Sequence, residues 1–380
     1  MVDYIVIGAG FAGIVMAERI ANVLGQEVMI IEKRNHIGGN CYDYHDENGV
    51  LIHKYGPHIF HTDLEEVWQY LSHFTEWNNY QHKVLGYIDG IKVPIPFNLN
   101  SLHQSLPDKL AENLETKLIQ TFGYNVKIPI LELKETDDAE LTSLAEFIYE
   151  KVFLNYTKKQ WGMEPEDLDP SVTARVPVYI SRDDRYFQNK YQGLPKKGYT
   201  EMFENMLSSD NIQVKLGTDF REVVQHDGDK FIIFDKEFEG KLIYTGKIDE
   251  LFNYQYGKLP YRSLDFEFEN LNQEYYQEVG TVNYPNDYDF TRITEFKHLT
   301  GQKIESTTIA REYPQEYVKE TNIPYYPIPK PENRDLYQEY LAKSIQLKNL
   351  ILLGRLAEYQ YYNMDEIVAA GLKIFEERIK

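Results

Sequence analysis

Three glycines and one acid carry the first chemistry legible in this chain. Gly8, Gly10 and Gly13 stand in Y-I-V-I-G-A-G-F-A-G (residues 4–13), and Glu32 closes the apolar run V-M-I-I at 28–31. Glycines at this spacing permit a tight turn and a close backbone approach to a pyrophosphate. A helix opening at Phe11 adds unpaired N–H groups and a partial positive charge for the same anion. An acid at the end of the next strand can accept hydrogen bonds from a ribose diol. A lone G-x-G-x-x-G is weak, and a plain βαβ turn without a ligand competes with it. Strand, glycines, helix, strand and acid in that order predict a dinucleotide-binding βαβ unit.

The elements around this unit narrow the ligand. N-L-I-L-L-G at 349–354 reads as a buried strand, and an amphipathic helix runs from Asp365 to the end. A late strand and helix returning to an N-terminal sheet make the dinucleotide domain discontinuous, which favours FAD over a contiguous NAD domain. Gly38-Gly39 points the same way, because it lets a loop pass close to the second half of the cofactor. Asp89-Gly90 between two strand-like runs predicts a hairpin. Residues 105–165 read as helical, with Leu106, Leu110, Leu114 and Leu118 at every fourth position and Ser143 with Glu146 as a capping box. Residues 198–207 read as a helix, followed by strands in N-I-Q-V-K-L, F-R-E-V-V and F-I-I-F. The stretch from Lys241 to about Thr308 is strand-rich.

Composition sets outer limits. The chain has 380 residues, 42% hydrophobic, and a formal net charge of −20. Its length suggests about two or three domains. The negative charge argues against nonspecific nucleic-acid binding and against an anionic membrane surface. Any phosphate-bearing ligand must therefore meet locally aimed cations. No apolar run reaches the ~18 residues of a membrane span, and the N-terminal apolar run lacks a basic leader, so no signal peptide is expected. The single cysteine, Cys41, excludes an internal disulfide and reads as a small buried residue; a cytoplasmic location is the expectation. Ten scattered histidines show no metal-ligand spacing, so no metal is expected. No G-x-S-x-G nucleophile elbow is present. The 31 tyrosines suit both sheet packing and contacts to sugar or base rings.

Further blocks carry a resemblance. Y-G-P-H-I-F-H-T (55–62), Y-T-K-K-Q-W-G (156–162), D-D-R-Y-F (183–187), G-L-P-K-K-G-Y-T-E-M-F (193–203), L-P-Y-R-S-L-D-F-E (259–267), T-R-I-T-E-F-K-H (291–298), P-Y-Y-P-I-P (324–329) and G-R-L-A-E-Y-Q-Y-Y-N-M-D (354–365) follow one another in order. With them the chain resembles the UDP-galactopyranose mutases over nearly its whole length. The resemblance implies an α/β fold with a discontinuous Rossmann-like FAD-binding domain (1–80, 190–240 and 330–380). It adds an inserted helical domain (98–168) and a twisted antiparallel β-sheet domain (81–97, 169–189 and 241–329).

It also implies roles. Arg175 and Arg292 match arginines that hold the substrate diphosphate, a task suited to a permanently charged fork. Tyr156, Thr157, Trp161, Tyr186, Tyr326 and Tyr361 match residues lining the UDP-galactose cleft; core packing is the competing reading for Trp161. His58, Ile59 and His61 fall in a stretch that approaches the flavin, with the histidine facing N5 left open. Beyond Gly8, Gly10, Phe11, Gly13 and Glu32, the cofactor set takes in Lys33, Gly39, Asn40 and Val223. Its second motif supplies Arg355, Met364, Asp365 and Ile367, with Asp365 expected to cap the last helix. Asn363 stands where relatives often carry Asp, which puts a charged role there in doubt. The implied reaction interconverts the pyranose and furanose forms of UDP-galactose, with N5 of reduced FAD as nucleophile at the anomeric carbon. An electron donor such as NAD(P)H or a reductase, and a homodimer, follow from the same resemblance. An FAD-dependent oxidoreductase of the amine-oxidase-like class is the alternative, and a nucleotide-binding sensor without catalysis is a further one.

Overall fold

The computed structural model describes residues 2–167, 177–228 and 230–380. In chain order, the elements that position the site begin with β1 (Tyr4–Ile7), α1 (Phe11–Val23) and β2 (Val28–Ile31). The hairpin β3 (Val84–Ile88) and β4 (Ile91–Ile95) follows, then helices α2 (Asp108–Phe122), α3 (Ala139–Ile148) and α4 (Asn155–Trp161). The chain continues through α5 (Tyr199–Met206), β5 (Ile212–Lys215), β6 (Lys241–Tyr244), β7 (Tyr261–Leu271), β8 (Thr281–Asn283), β9 (Arg292–Glu295) and β10 (Thr307–Glu316). It ends with β11 (Tyr326–Pro327), α6 (Pro331–Ile345), β12 (Leu350–Leu352) and α7 (Met364–Ile374).

Two sheets organise these elements. The first is parallel, in the order β5-β2-β1-β6-β12. Its central strands are short runs of Ile, Val and Leu, as expected when both faces are covered. Side chains alternate between the faces: Val6 packs with α1, α5 and α7, whereas Ile5 and Ile7 pack against Phe231, Phe238 and Tyr340 on the other side. The second sheet has the order β11-β7-β10-β9-β8-β3-β4. Helices α2, α3 and α4 come between β4 and α5 in the chain, and a core of their own holds Leu114, Leu118, Leu141 and Ile148.

Several expectations shift. Lys241–Tyr244 is not the start of the antiparallel sheet; it pairs in parallel with β1, Tyr4 opposite Lys241, so the dinucleotide-binding sheet reaches past residue 240. A four-residue apolar run carries no periodicity that says which sheet it joins. The second sheet is not wholly antiparallel, since β8 runs parallel to β3. Phe220–Val223 forms a helical turn capped by Asp219 before the strand Val224–Asp227. Helix α3 opens at Asp138, whose carboxylate accepts from the N–H groups of Glu140 and Leu141; Ser143 lies inside it and donates back to the Ala139 carbonyl. In α2 the buried stripe is Ala111, Leu114 and Leu118, while Leu110 is exposed. A strict four-residue spacing drifts around a helix of 3.6 residues per turn, which carries Leu110 off the buried face. The hairpin turn is as expected: Asp89 and Gly90 have φ of 48° and 87°, and Ile88 faces Ile91.

Candidate functional site

The glycine fingerprint is built for a close approach. Gly8 has a φ of 102°, and a Cβ there would lie 2.2 Å from Thr245 Oγ1 at the end of β6. A Cβ on Gly13 would lie 2.0 Å from the Gly8 carbonyl oxygen, and one on Gly39 would lie 2.9 Å from Gly10 Cα. The Gly38-Gly39 loop thus presses on the fingerprint turn. Helix α1 starts after Gly10 with no side-chain cap and no acid in its first turn, so its leading N–H groups stay available to an anion. The Phe11 ring itself is core, edge-on to Phe203 at 4.8 Å.

Glu32 is buried, at 6% exposure. Its Oε2 accepts the Ala9 N–H and its Oε1 accepts the Arg34 N–H, both at 2.8 Å. The carboxylate therefore locks the fingerprint turn to the end of β2 and keeps lone pairs for a diol. Lys33 is exposed beside it. Asn40 Oδ1 accepts from Arg34 Nη2 at 2.9 Å. Val223 follows a segment tied to the acid by the Thr218 N–H on the Glu32 carbonyl; its own carbonyl is taken by the Phe234 N–H. The cradle of glycines, the open helix start and the oriented acid fit a dinucleotide such as FAD.

A cleft of about 760 Å³ opens elsewhere on the same body. Its floor is one register row of the second sheet: Gly86 of β3, Asn283 of β8, Arg292 of β9 and Glu312 of β10 lie side by side. Arg292 pairs with the 3%-exposed Glu312, Nη2 to Oε1 at 3.1 Å, while its buried Nε has no hydrogen-bond partner among the described residues. Burial opposes the Arg292 charge, but Glu312 together with the neighbouring Tyr156, Tyr326 and Tyr186 offsets this and holds the guanidinium above its ordinary pKa. Asn283 Oδ1 and Gln160 Oε1, also lining the cleft, are buried without partners among the described residues. Unpaired groups of this kind suit a polar ligand.

Helix α4 supplies one wall through Tyr156, Thr157 and Trp161. Trp161 is 7% exposed and packs on Tyr326 at 6.3 Å, so it is both buried and cleft-lining. Tyr186 lines the cleft next to Phe187. Tyr326 and Tyr361 lie near-parallel at 6.0 Å. The Arg355 guanidinium covers both rings, at 5.3 and 4.7 Å, and donates to the carbonyls of Tyr325 and Tyr362. It braces the aromatic pair from the cleft's edge. Burial raises the phenol pKa of Tyr156, and burial followed by Glu312 pushes that of Tyr326 up to about 12. Both remain O–H donors.

The far end of the cleft is formed by His58, Ile59 and His61 together with Asn363 and Met364 at the start of α7. The His58 N–H donates to His53 Nδ1 at 3.0 Å, and His58 Nδ1 faces the Gly56 carbonyl at 2.8 Å. Burial, then His53, lowers the His58 pKa to about 3. His61 Nδ1 contacts Asn189 Oδ1 at 3.0 Å and its ring stacks on Phe187 at 3.7 Å. Both histidines border the cleft. Asp365 does not cap α7: Asn363 is the N-cap residue, and Glu366 accepts its N–H at 2.6 Å. Asp365 lies two positions past the N-cap, inside the helix, and so is too far along for that role. Ile367 gives its N–H to the Asn363 carbonyl and buries its side chain by Gly354, so only side-chain contact remains for a ligand. Met364 Sδ accepts from the Cys41 thiol, whose pKa burial raises. Arg175 lies outside the described residues.

Glu312, Asn283, His82, Phe187 and Tyr325 also line the cleft and were not singled out from the sequence. For Asn283 and Glu312 the only signal is cross-strand register with Arg292, which exists once the sheet is assembled. Among the described residues no group of His, Cys, Asp and Glu is placed to hold a metal ion, and no helix is long and apolar enough to cross a membrane.

A parallel dinucleotide-binding sheet joined to a sheet-floored cleft with a half-buried arginine defines a Rossmann-like enzyme class. Residues 6–74 match the NAD(P)-binding Rossmann-like domain family, and residues 151–361 match the UDP-galactopyranose mutase family. The chain is 37% identical to a probable UDP-galactopyranose mutase of Klebsiella pneumoniae, over 99% of this chain and 94% of that one. It is 36% identical to the UDP-galactopyranose mutase of Mycoplasma pneumoniae (100% and 96% covered). It is 34% identical to the dTDP-fucopyranose mutase of Escherichia coli (99% and 98% covered). A crystal structure of reduced UDP-galactopyranose mutase shares the fold, with a TM-score of 0.75 at 16% identity over 99% of this chain and 93% of that one. A putrescine oxidase shares it more loosely, with a TM-score of 0.60 at 12% identity over 99% and 98%. The chain belongs to the UDP-galactopyranose mutase family and is an isomerase.

Proposed function

We propose that this chain interconverts UDP-galactopyranose and UDP-galactofuranose with reduced FAD, for the synthesis of cell-surface galactofuranose glycans. One observation carries the reading: Arg292, ringed by protonated phenols, shares a single cleft with His58, Ile59, His61 and the start of α7. The ends that the resemblance assigns to diphosphate and to flavin open on one space. When bound and reduced, FAD supplies at N5 the nucleophile for the anomeric carbon, so the isomerisation involves no net redox change.

The chain's own groups do the rest. Arg292 holds the diphosphate and stabilises its charge as UDP departs. Keeping UDP in place makes its return to the sugar an intramolecular event in effect. Glu312 keeps that guanidinium charged and oriented before a ligand arrives, and the diphosphate then competes for the same fork. Tyr156 and Tyr326, as neutral donors, add hydrogen bonds without adding charge. Trp161 offers an aromatic face on the nucleotide side. Arg175 shares the diphosphate with Arg292. NAD(P)H or a reductase supplies the electrons, and the working form is a cytoplasmic homodimer; these follow from the family resemblance.

The test is direct. Purified protein is incubated with UDP-galactose, with and without dithionite, and the sugar nucleotides are separated. Furanose product under reduction alone is the expected result. An oxidised sugar would assign the chain to the amine-oxidase-like class, and binding without product in either state would make it a sensor. Arg292→Ala is expected to lower turnover by about 100-fold or more while flavin remains bound; unchanged turnover would sink the role given to Arg292.

A further inference from the structure

His82 stands two residues before β3, in line with the cleft-lining Val84, Gly86 and Ile88. Its ring is 4% exposed. Nδ1 lies 3.0 Å from the Tyr80 hydroxyl, and among the described residues Nε2 has no hydrogen-bond partner. The ring lies in the cleft wall, with Arg292 and His61 both close enough to act on its charge. Towards the His58–His61 end, Phe187 lies 6.1 Å from it at 27° and stacks in turn on His61 at 3.7 Å and 19°. Tyr186 meets it edge-on at 5.8 Å. Burial, then the nearby Arg292 charge, lowers the His82 pKa to about 3 and keeps the ring neutral.

A neutral imidazole brings one donor or one acceptor to a ligand and no charge. With the Tyr80 O–H donating to Nδ1, the ring proton sits on Nε2; with Nδ1–H donating to the phenol, Nε2 is an acceptor. Either form pairs with a hydroxyl, and neither adds charge for a diphosphate. The place between Arg292 and the His58–His61 end is where the hexose must lie if the cleft takes a nucleotide sugar. We propose that His82 reads a hydroxyl of the hexose and thereby sets which sugar the cleft accepts. This rests on the nucleotide-sugar reading above. A buried polar group matched to a substrate hydroxyl rejects the analogue lacking it, because the group is then left unpaired.

Flavin-loaded, reduced wild type, His82→Leu and His82→Gln are compared on UDP-galactose and on its 2-, 3- and 6-deoxy analogues. The leucine variant is expected to lose roughly tenfold or more in kcat/KM on UDP-galactose, with glutamine restoring most of it. On one deoxy analogue alone, the wild-type rate falls and the difference between wild type and variant shrinks below about twofold. The flavin spectrum and the inhibition constant for UDP stay at their wild-type values. Equal losses on every analogue, or a parallel weakening of UDP inhibition, overturn the inference and assign His82 to packing or to the diphosphate. The drop of the wild type on a single deoxy analogue tests it even where the leucine variant does not fold. Wild type that leaves UDP-galactose unchanged overturns the functional reading first, and this inference with it, before any substitution is compared.

Discussion

Glu312 and Arg292 form an ion pair whose carboxylate is almost wholly buried, and one buried nitrogen of the guanidinium is left without a partner among the described residues. Such a pair holds a cation ready for an anion that will replace the carboxylate. Glu312→Gln keeps the shape and removes the charge. The ligand-free variant is expected to lose about 2 kcal/mol in urea melts, as a charged hydrogen bond is weakened. UDP should bind it more tightly than wild type, because the diphosphate no longer faces a competing carboxylate. Calorimetric titration checks the second outcome; weaker binding would mean that Glu312 chiefly orients Arg292. Arg292 was legible from its T-R-I-T-E surroundings. Glu312 was not, since nothing local in S-T-T-I-A-R-E-Y marks one acid among many, and only the β9–β10 register brings it to Arg292.

Among elements, the turn between β1 and α1 concentrates the backbone constraints. A side chain on Gly13 would collide with the Gly8 carbonyl, a backbone atom that cannot move aside. Gly13→Ala is therefore expected to cost about 2 kcal/mol or more and to yield protein with less bound flavin, read from the ratio of flavin to protein absorbance. Gly217→Ala is the control: its φ is 63° with nothing within 4 Å, so it should cost about 1–2 kcal/mol and leave flavin content unchanged. Equal flavin loss in both would mean that general destabilisation, not the fingerprint, governs retention. This turn was readable because its parts lie within one short stretch of chain. The cap of α7 was misplaced by two residues, at Asp365 instead of Asn363, because Asn, Met and Asp in a row offer two acceptable caps and only the backbone trajectory chooses.

At the scale of the whole molecule, burial keeps histidines neutral near physiological pH. His53 and His82 are 1% and 4% exposed, and burial lowers their pKa values to about 4 and about 3. Both folded values lie below the ordinary 6.5. Their stabilisation is thus fully present above about pH 6.5 and is lost as pH falls through the folded values, because the unfolded chain takes up protons that the fold refuses. Between pH 7 and pH 5 each should cost on the order of 2 kcal/mol. Urea melts of wild type and His53→Gln at the two pH values check this. The substitution is expected to remove about 2 kcal/mol of the drop; an unchanged drop would show that His53 does not titrate between the states.

Contiguous stretches of sequence, in which each residue's task is set by its near neighbours, determined the dinucleotide fingerprint, the Asp89-Gly90 hairpin, the helical segment apart from the strand Val126–Ile128 that pairs with Val178–Ile180, and the blocks that carry the family resemblance. Turn geometry, helix starts and glycine clearances are local, so they survive in a linear reading. Tertiary structure alone decided that Lys241–Tyr244 completes the parallel sheet, that β8 runs parallel to β3, and that Gly86, Asn283, Arg292 and Glu312 share one row. Strand pairing joins residues far apart in the chain, and a short apolar strand has no side-chain pattern that names its partner. The floor of the cleft is a product of register, and register exists only after the sheets form.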